Sequence, residues 1–295
     1  MEERLSGVIL PIPTPFAANY AIDEKALRDI IGFYVENKAD CIAPCGSTGE
    51  FAFLSSDERK RVVEIAIDEA KGKIPVVAGT HALTTAEAVS LTTHAKDVGA
   101  DAVLVVPTYY LKPTEKELYG YYADIAKVGI PIVIYNNPWT SKVDIKPELI
   151  ARLAEDFENI KYVKESSGSM QRIHEILRLT DKITVFCGSD DLALESFAMG
   201  AKGWVAASAD ICPGQAHDLY HAAVIEKNMD KAMRLYLRLL PLFNLLESSG
   251  RYVQYVKAGM DLLGHPVGLP RKPLLPVSRE EKDSLRRIMV EAGIL

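Results

Sequence analysis

Ile160-Lys161-Tyr162-Val163-Lys164-Glu165-Ser166 is an apolar run interrupted by charge, and its alternation predicts a β-strand that turns Ile160, Tyr162 and Lys164 to one face. A lysine on an inward face needs a reason. Taken out of water, an ammonium loses ground to its neutral amine, so the Lys164 pKa is expected to fall from a reference near ~10.4. The neutral amine is a nucleophile toward carbonyls, which is how Schiff-base lysines arise. The plain alternative is a strand-end lysine with its head in solvent or paired with Glu165. The choice depends on the sheet this strand belongs to.

Working outward, seven more short apolar runs accompany it: Gly7 to Leu10, Asp40 to Pro44, Ile74 to Ala78, Ala102 to Val106, Pro131 to Tyr135, Ile183 to Cys187 and Gly203 to Ala207. Between them lie amphipathic stretches, as in Val62, Val63, Ala66, Ile67 and Ala70. Several open with capping boxes, Ser55 to Glu58, Thr84 to Glu87, Thr114 to Glu117 and Ser278 to Glu281. Eight strands alternating with helices, at a repeat of roughly 20 to 35 residues, predict an α/β fold of the (β/α)₈ TIM-barrel type. A doubly wound open sheet fits less well, because no Gly-x-Gly-x-x-Gly turn follows the first strand. After about residue 225 only helical patterns continue, at Asp230 to Leu246, Arg251 to Leu263 and Ser278 to Ala292, with a Pro/Gly-rich connector from Gly264 to Pro276. The expected organisation is a catalytic barrel over 1–225 and a C-terminal helical extension over 226–295.

Composition narrows the function classes. The 295 residues are 48% hydrophobic with a formal net charge of −6. The absence of any basic cluster removes the electrostatic footprint of a nucleic-acid binder. No apolar run reaches about 18 residues, and Met1-Glu2-Glu3-Arg4 lacks a charged-then-apolar leader, so a cytoplasmic protein with no membrane partner is expected. Cys41, Cys45, Cys187 and Cys212 read as buried thiols of a reducing compartment; Cys41 and Cys45 share a strand face, but no second pair completes a zinc site. His217 and His221, four apart on a helix, have metal-ligand spacing without an acidic third ligand, and no histidine-carboxylate cluster of a metal-dependent aldolase stands at the strand ends. The charged runs Asp57 to Arg61 and Arg279 to Lys282 read as solvated helix starts.

In such barrels the chemistry stands at the C-terminal ends of the strands. After the second strand comes Cys45-Gly46-Ser47-Thr48-Gly49-Glu50, a turn whose N–H groups and hydroxyls suit a carboxylate or phosphate. The fifth strand ends in Tyr135, the sixth in Lys164, and the seventh in Gly188-Ser189-Asp190-Asp191, where the acids could equally cap the next helix and the Gly188-Ser189 turn could hold phosphate. A desolvated lysine, a proton-shuttling tyrosine and an anion-binding turn are together what a 2-oxo acid needs to form an imine. The protonated imine stabilises a carbanion at C3, which permits aldol cleavage, aldol addition or loss of a β-substituent.

At these residues the chain resembles the dihydrodipicolinate synthase and N-acetylneuraminate lyase family of class I aldolases. The match runs from Gly7 to the C-terminus through Pro11-Ile-Pro-Thr-Pro-Phe16, Gly46-Ser-Thr-Gly-Glu50, Pro107-Thr-Tyr-Tyr110, Tyr135-Asn-Asn-Pro138, Lys164-Glu-Ser-Ser-Gly168, Gly188-Ser-Asp-Asp191 and Gly268-Leu-Pro-Arg-Lys-Pro-Leu274. The resemblance implies that Lys164 forms the Schiff base with no other cofactor and that Tyr135 relays protons. It implies that Gly46, Ser47 and Thr48 hold the substrate carboxylate, with Thr48 also in the relay. Tyr110 would reach a neighbouring subunit's site in a homotetramer built as a dimer of dimers. Two departures bear on substrate. The synthase has an arginine five residues after the strand-five tyrosine, and here that position is Thr140, beside Trp139. The sialic acid lyases have a sugar-contacting serine after the eighth strand, and the nearest equivalent here is Ala207, with Ser208 adjacent. Gly188, Asp190 and Asp191 remain as groups for the hydroxyls of a sugar-derived acid. The resulting expectation is an aldolase or dehydratase on a 2-keto-3-deoxy sugar acid. The alternatives are a dihydrodipicolinate synthase condensing pyruvate with aspartate semialdehyde, an N-acetylneuraminate lyase, or a non-catalytic 2-oxo acid-binding relic.

Overall fold

The eight apolar runs pair side by side as short parallel strands. In the computed structural model, which describes residues 5–295, these are β1 (Gly7–Leu10), β2 (Cys41–Ile42), β3 (Val77–Gly79), β4 (Ala102–Val105), β5 (Ile132–Asn136), β6 (Ile160–Glu165), β7 (Thr184–Cys187) and β8 (Gly203–Val205). Their order, β2-β1-β8-β7-β6-β5-β4-β3, follows the sequence around a cylinder. Between β2 and β3 a bridge from Ile42 to Val76, with the Ile42 N–H donating to the Pro75 carbonyl at 3.1 Å, nearly closes the ring. The fold is a (β/α)₈ TIM barrel. The leader reading of Met1 to Arg4 lies outside the described residues.

The helices are α1 (Glu24–Glu36), α2 (Ser56–Ala70), α3 (Thr85–Asp97), α4 (Glu115–Ala126), α5 (Pro138–Ser141), α6 (Pro147–Asp156), α7 (Met170–Leu179), α8 (Ala193–Met199), α9 (Pro213–Tyr220), α10 (Met229–Ser249), α11 (Tyr252–Leu262) and α12 (Arg279–Glu291). Full capping boxes start α2 at Ser55, α4 at Thr114 and α12 at Ser278. At α3 the box is half made. The Thr84 hydroxyl accepts from the Glu87 N–H, while the Glu87 carboxylate instead accepts from the Ser56 hydroxyl at 2.8 Å, which ties α3 to α2.

Strand alternation sorts the core into two layers. Ile9, Leu104, Val133, Tyr135, Tyr162, Phe186 and Val205 fill the barrel interior, while Val8, Leu10, Val103, Val105, Ile132, Ile134 and Val185 pack outward under the helices. One expectation fails here. A register shift sets Ile132 opposite Ile160 but Val133 opposite Tyr162, so Lys161 is an extra residue, and Ile160 joins the outer layer with Val163. Tyr162 keeps the inward face, and Lys164 follows it by alternation. Cys41 and Cys45 do not share a face either. Cys41 belongs to the interior, whereas Cys45 lies past the strand at φ 57° in the outer layer, its Sγ donating to the Arg59 carbonyl. Arg59 in turn is not a solvated helix-start residue. It is buried and donates to the His81 carbonyl at 2.7 Å and the Gly79 carbonyl at 3.0 Å. Gly79 is required where the Cys45 turn crosses β3, since a Cβ there would stand 2.0 Å from the Cys45 carbonyl oxygen.

Candidate active site

The parallel register of β5 and β6 sets Tyr135 directly opposite Lys164. The lysine is 7% exposed, and its Nζ stands 4.2 Å from the centroid of the Tyr135 ring, so the aromatic face offsets part of the cost of a buried cation. Glu165, the next residue, points the other way. Its carboxylate accepts from Asn136 Nδ2 at 3.0 Å and from the Ser167 N–H at 2.7 Å, and is not the lysine's partner. The strand-end ion pair is therefore excluded by alternation, which sends residues 164 and 165 to opposite faces.

The tyrosine hydroxyl is held by its own loop. Asn137 donates from Nδ2 to Tyr135 Oη at 2.9 Å, while its Oδ1 caps α5 by accepting from the Thr140 N–H at 3.2 Å. Ser47 lines the cavity together with Tyr135 and Tyr252, near enough to favour the ionised form of each phenol. Burial raises the Tyr135 pKa, but the Lys164 charge, the Asn137 hydrogen bond and the nearby Ser47 outweigh it and draw the phenol below its ordinary value. Tyr252 has burial without that compensation and is pushed up.

These groups open into a cavity of about 350 Å³, lined by Gly46, Ser47, Thr48, Tyr135, Thr140, Lys164, Gly188, Asp190 and Ala207 among others. The structure thus gathers at one mouth nearly every residue singled out from sequence. Gly188 leaves space that no side chain allows, since a Cβ would stand 1.8 Å from Ser166 Oγ. Tyr110 and Asp191 do not line the cavity. Tyr110 is 92% exposed at φ 79°, and Asp191 is half-buried, with its carbonyl accepting from the Tyr236 hydroxyl. Trp139 is 72% exposed at the rim, its Nε1 donating to the Ser167 carbonyl at 2.9 Å, so the loop after β5 is laced to the loop after β6.

Asp190 neither caps α8 nor presents free oxygens. Fully buried, its Oδ1 accepts from Trp204 Nε1 at 2.9 Å and its Oδ2 from the Ser208 N–H at 2.8 Å, which pins the loop after β8; burial raises its pKa. His217 and His221 stack on each other, but the Nδ1 of each faces a carboxylate, Asp40 and Glu226 respectively. Sequence reasoning missed three groups. His81, fully buried, accepts the Val106 N–H at Nδ1, and burial together with the Arg59 and Lys164 charges holds its imidazole well below its ordinary range, hence neutral. Tyr252 stands at the start of α11, after Gly250 in the left-handed conformation stops α10. Glu247, on the last turn of α10, lines the cavity and accepts the Asp190 N–H at 2.7 Å; burial, Asp190 and Asp191 raise its carboxyl to about 7 despite the counteracting Lys164. The only signal for these last two was the Ser248-Ser249-Gly250 break between two helical patterns, which says that the chain turns but not where.

Comparison with known proteins agrees with this geometry. The model of the dihydrodipicolinate synthetase family matches residues 4–292. A curated relative from Geotalea uraniireducens, named 4-hydroxy-tetrahydrodipicolinate synthase, is 40% identical over 291 residues, covering 98% of this chain and 99% of that protein. Among solved structures, a protein from Pseudomonas aeruginosa described as a putative dihydrodipicolinate synthetase superposes with a TM-score of 0.95 at 36% identity, covering 98% of this chain and 99% of that one. The chloride-inhibited dihydrodipicolinate synthase of Acinetobacter baumannii, complexed with pyruvate, gives 0.92 at 34% identity, with coverage of 98% and 99%. With its barrel, its match over nearly the whole length and its lysine at the mouth, the chain belongs to the dihydrodipicolinate synthetase family of class I aldolase-type lyases.

Proposed function

We propose that the protein forms a Schiff base between Lys164 and the C2 carbonyl of a pyruvate-type 2-oxo acid and uses it to make or break a bond at C3. The observation that carries this is the buried Lys164 ammonium 4.2 Å from the centroid of the Tyr135 ring, in a cavity also lined by Ser47 and Thr48. In this reading the Gly46-Ser47-Thr48 turn receives the substrate carboxylate. The lysine amine adds to C2, and the carbinolamine loses water as Tyr135 hands a proton to the departing hydroxyl. In aldol cleavage the resulting iminium takes the electron pair of the C3–C4 bond as the C4 hydroxyl gives up its proton and becomes a carbonyl; in dehydration it takes the pair of a C3–H bond, and the enamine then expels the C4 hydroxyl, which leaves as water. Tyr135, Ser47 and Tyr252 form the path along which the proton moves. No external cofactor enters this chemistry.

For the substrate's far end we favour a 2-keto-3-deoxy sugar acid, cleaved or dehydrated. Thr140 occupies the place of the synthase arginine, and among the described residues lining the cavity Lys164 is the single cation. Condensation of pyruvate with aspartate semialdehyde is the second reading, supported by the synthase names of relatives at about 40% identity. Incubation with 2-keto-3-deoxygluconate, N-acetylneuraminate, or pyruvate plus aspartate semialdehyde, read by pyruvate release, water loss and ring formation, separates them. Rapid ring formation with no turnover of the deoxy sugar acid overturns the favoured reading. The exposed Tyr110, on the loop after β4, suits insertion into a second copy, so a dimer-of-dimers tetramer is part of the proposal. No helix among the described residues is long and apolar enough to cross a membrane.

A further inference from the structure

The outer half of the cavity has a chemical character of its own, set by a residue outside the barrel. Glu247 comes from α10, after the last barrel strand, and reaches the mouth over β7. Its Oε1 is fixed by the Asp190 N–H at 2.7 Å, while Oε2 accepts no hydrogen bond from the protein among the described residues and is free for a ligand. Asp190 beside it has both oxygens engaged by Trp204 and Ser208, so Glu247 is the carboxyl of this pair with acceptor capacity to offer. The same cavity is lined by Thr140, Ser189, Trp139 and Leu246, none of them cationic. Lys164, which acts on Glu247 electrostatically, is engaged by the substrate's reacting carbonyl in the mechanism above.

A substrate tail that ends in a second carboxylate would therefore meet a like charge and no counter-ion. A tail of hydroxyl groups would meet a free carboxylate oxygen and the Thr140 hydroxyl, both able to accept. We infer that Glu247 is the specificity determinant of the outer cavity, its carboxylate receiving the hydroxyls of a substrate tail and turning away tails that end in a carboxylate. This rests on the Schiff-base reading for the direction in which the substrate lies, with its own carboxylate at the Gly46 to Thr48 turn. Glu247 acts on which acid is held, and Lys164 and Tyr135 act on the bond.

The test uses acids without a carbonyl, so that binding is read apart from imine formation. Dissociation constants of gluconate, with a hydroxylated tail, and adipate, of equal chain length but ending in a carboxylate, are measured calorimetrically at pH 8 for the wild type, Glu247→Gln and Glu247→Arg. The wild type is expected to prefer gluconate by about tenfold or more, Glu247→Gln to lose most of that preference, and Glu247→Arg to reverse it. A preference that is absent in the wild type, or unmoved by both substitutions in proteins that melt at the wild-type temperature, overturns the inference. So does failure of gluconate to bind the wild type at millimolar concentration. Borohydride trapping of pyruvate on the wild type, run in parallel, reports on Lys164 alone, so a missing adduct sinks the Schiff-base reading while the gluconate-to-adipate ratio still judges Glu247.

Discussion

Lys257 Nζ lies 2.7 Å from Glu50 Oε1, a buried ion pair that ties α11 to the turn carrying Gly46, Ser47 and Thr48. The ammonium also donates to the Thr14 carbonyl at 2.9 Å and stands over the Phe16 ring, while Glu50 Oε2 accepts the Arg271 N–H at 2.8 Å. The C-terminal helices are thereby fastened to the turn proposed to receive the substrate carboxylate. Removing one partner strands the other charge away from water, so Lys257→Met is expected to cost about 3–5 kcal/mol in urea unfolding. The paired change Lys257→Met with Glu50→Leu should regain a large part of that loss, because neither charge is then left buried. A single variant as stable as the wild type contradicts the assignment.

Tyr135 sits between Lys164 and Ser47, and only its hydroxyl can move a proton. Tyr135→Phe keeps the ring under the lysine and removes that hydroxyl. Turnover of the best substrate should fall by about 10²–10⁴ at little cost in melting temperature. A loss below tenfold would remove Tyr135 from the proton path.

Residue 140 distinguishes the two proposed substrates at their far ends. Thr140 is at the cavity rim, with its N–H already used by Asn137, so Thr140→Arg adds a cation without disturbing the cap. Condensation of pyruvate with aspartate semialdehyde should rise by about tenfold or more in kcat/KM, with the gain mostly in KM for the semialdehyde. No gain at all would mean that the far carboxylate is recognised elsewhere.

Glu247 gives stability a pH signature. Its carboxyl is raised to about 7 from a reference of 4.5, by burial first and then by Asp190 and Asp191, with Lys164 opposing. Between these two values the native protein keeps a proton that the unfolded chain has released, so this group's contribution is full below pH 4.5 and is lost as pH rises through about 7. Melting curves at pH 4.5 and pH 8 should show the wild type falling relative to Glu247→Gln on going to the higher pH. A parallel or opposite trend contradicts the raised carboxyl.

What could be read from the chain follows from which interactions are local. Eight strands, their order and the inward Lys164 were legible because a period of two and a repeating strand-helix alternation are written in neighbouring residues. The face of Ile160 was misread because a bulge at Lys161 depends on the partner strand, which alternation alone cannot see. Ser47, Tyr135 and Lys164 could be placed in the site because barrel strands all end at one mouth. Glu247, Tyr252 and His81 were missed for the converse reason. Two of them arrive on consecutive helices, α10 and α11, whose position over the mouth is fixed by long-range packing such as Lys257 on Glu50. The third is an interior histidine whose surroundings come from other strands. Asp190 was recognised, but not its engagement by Trp204 and Ser208, which spans 14 and 18 residues.

Lys164 is proposed as the electrophile-capturing amine of the site. The protein incubated with pyruvate, reduced with borohydride and digested should carry one reduced pyruvate on the peptide containing Lys164, with none in Lys164→Ala of unchanged melting temperature. An unmodified Lys164 in the wild type, or an adduct on another lysine that persists in the variant, would contradict it.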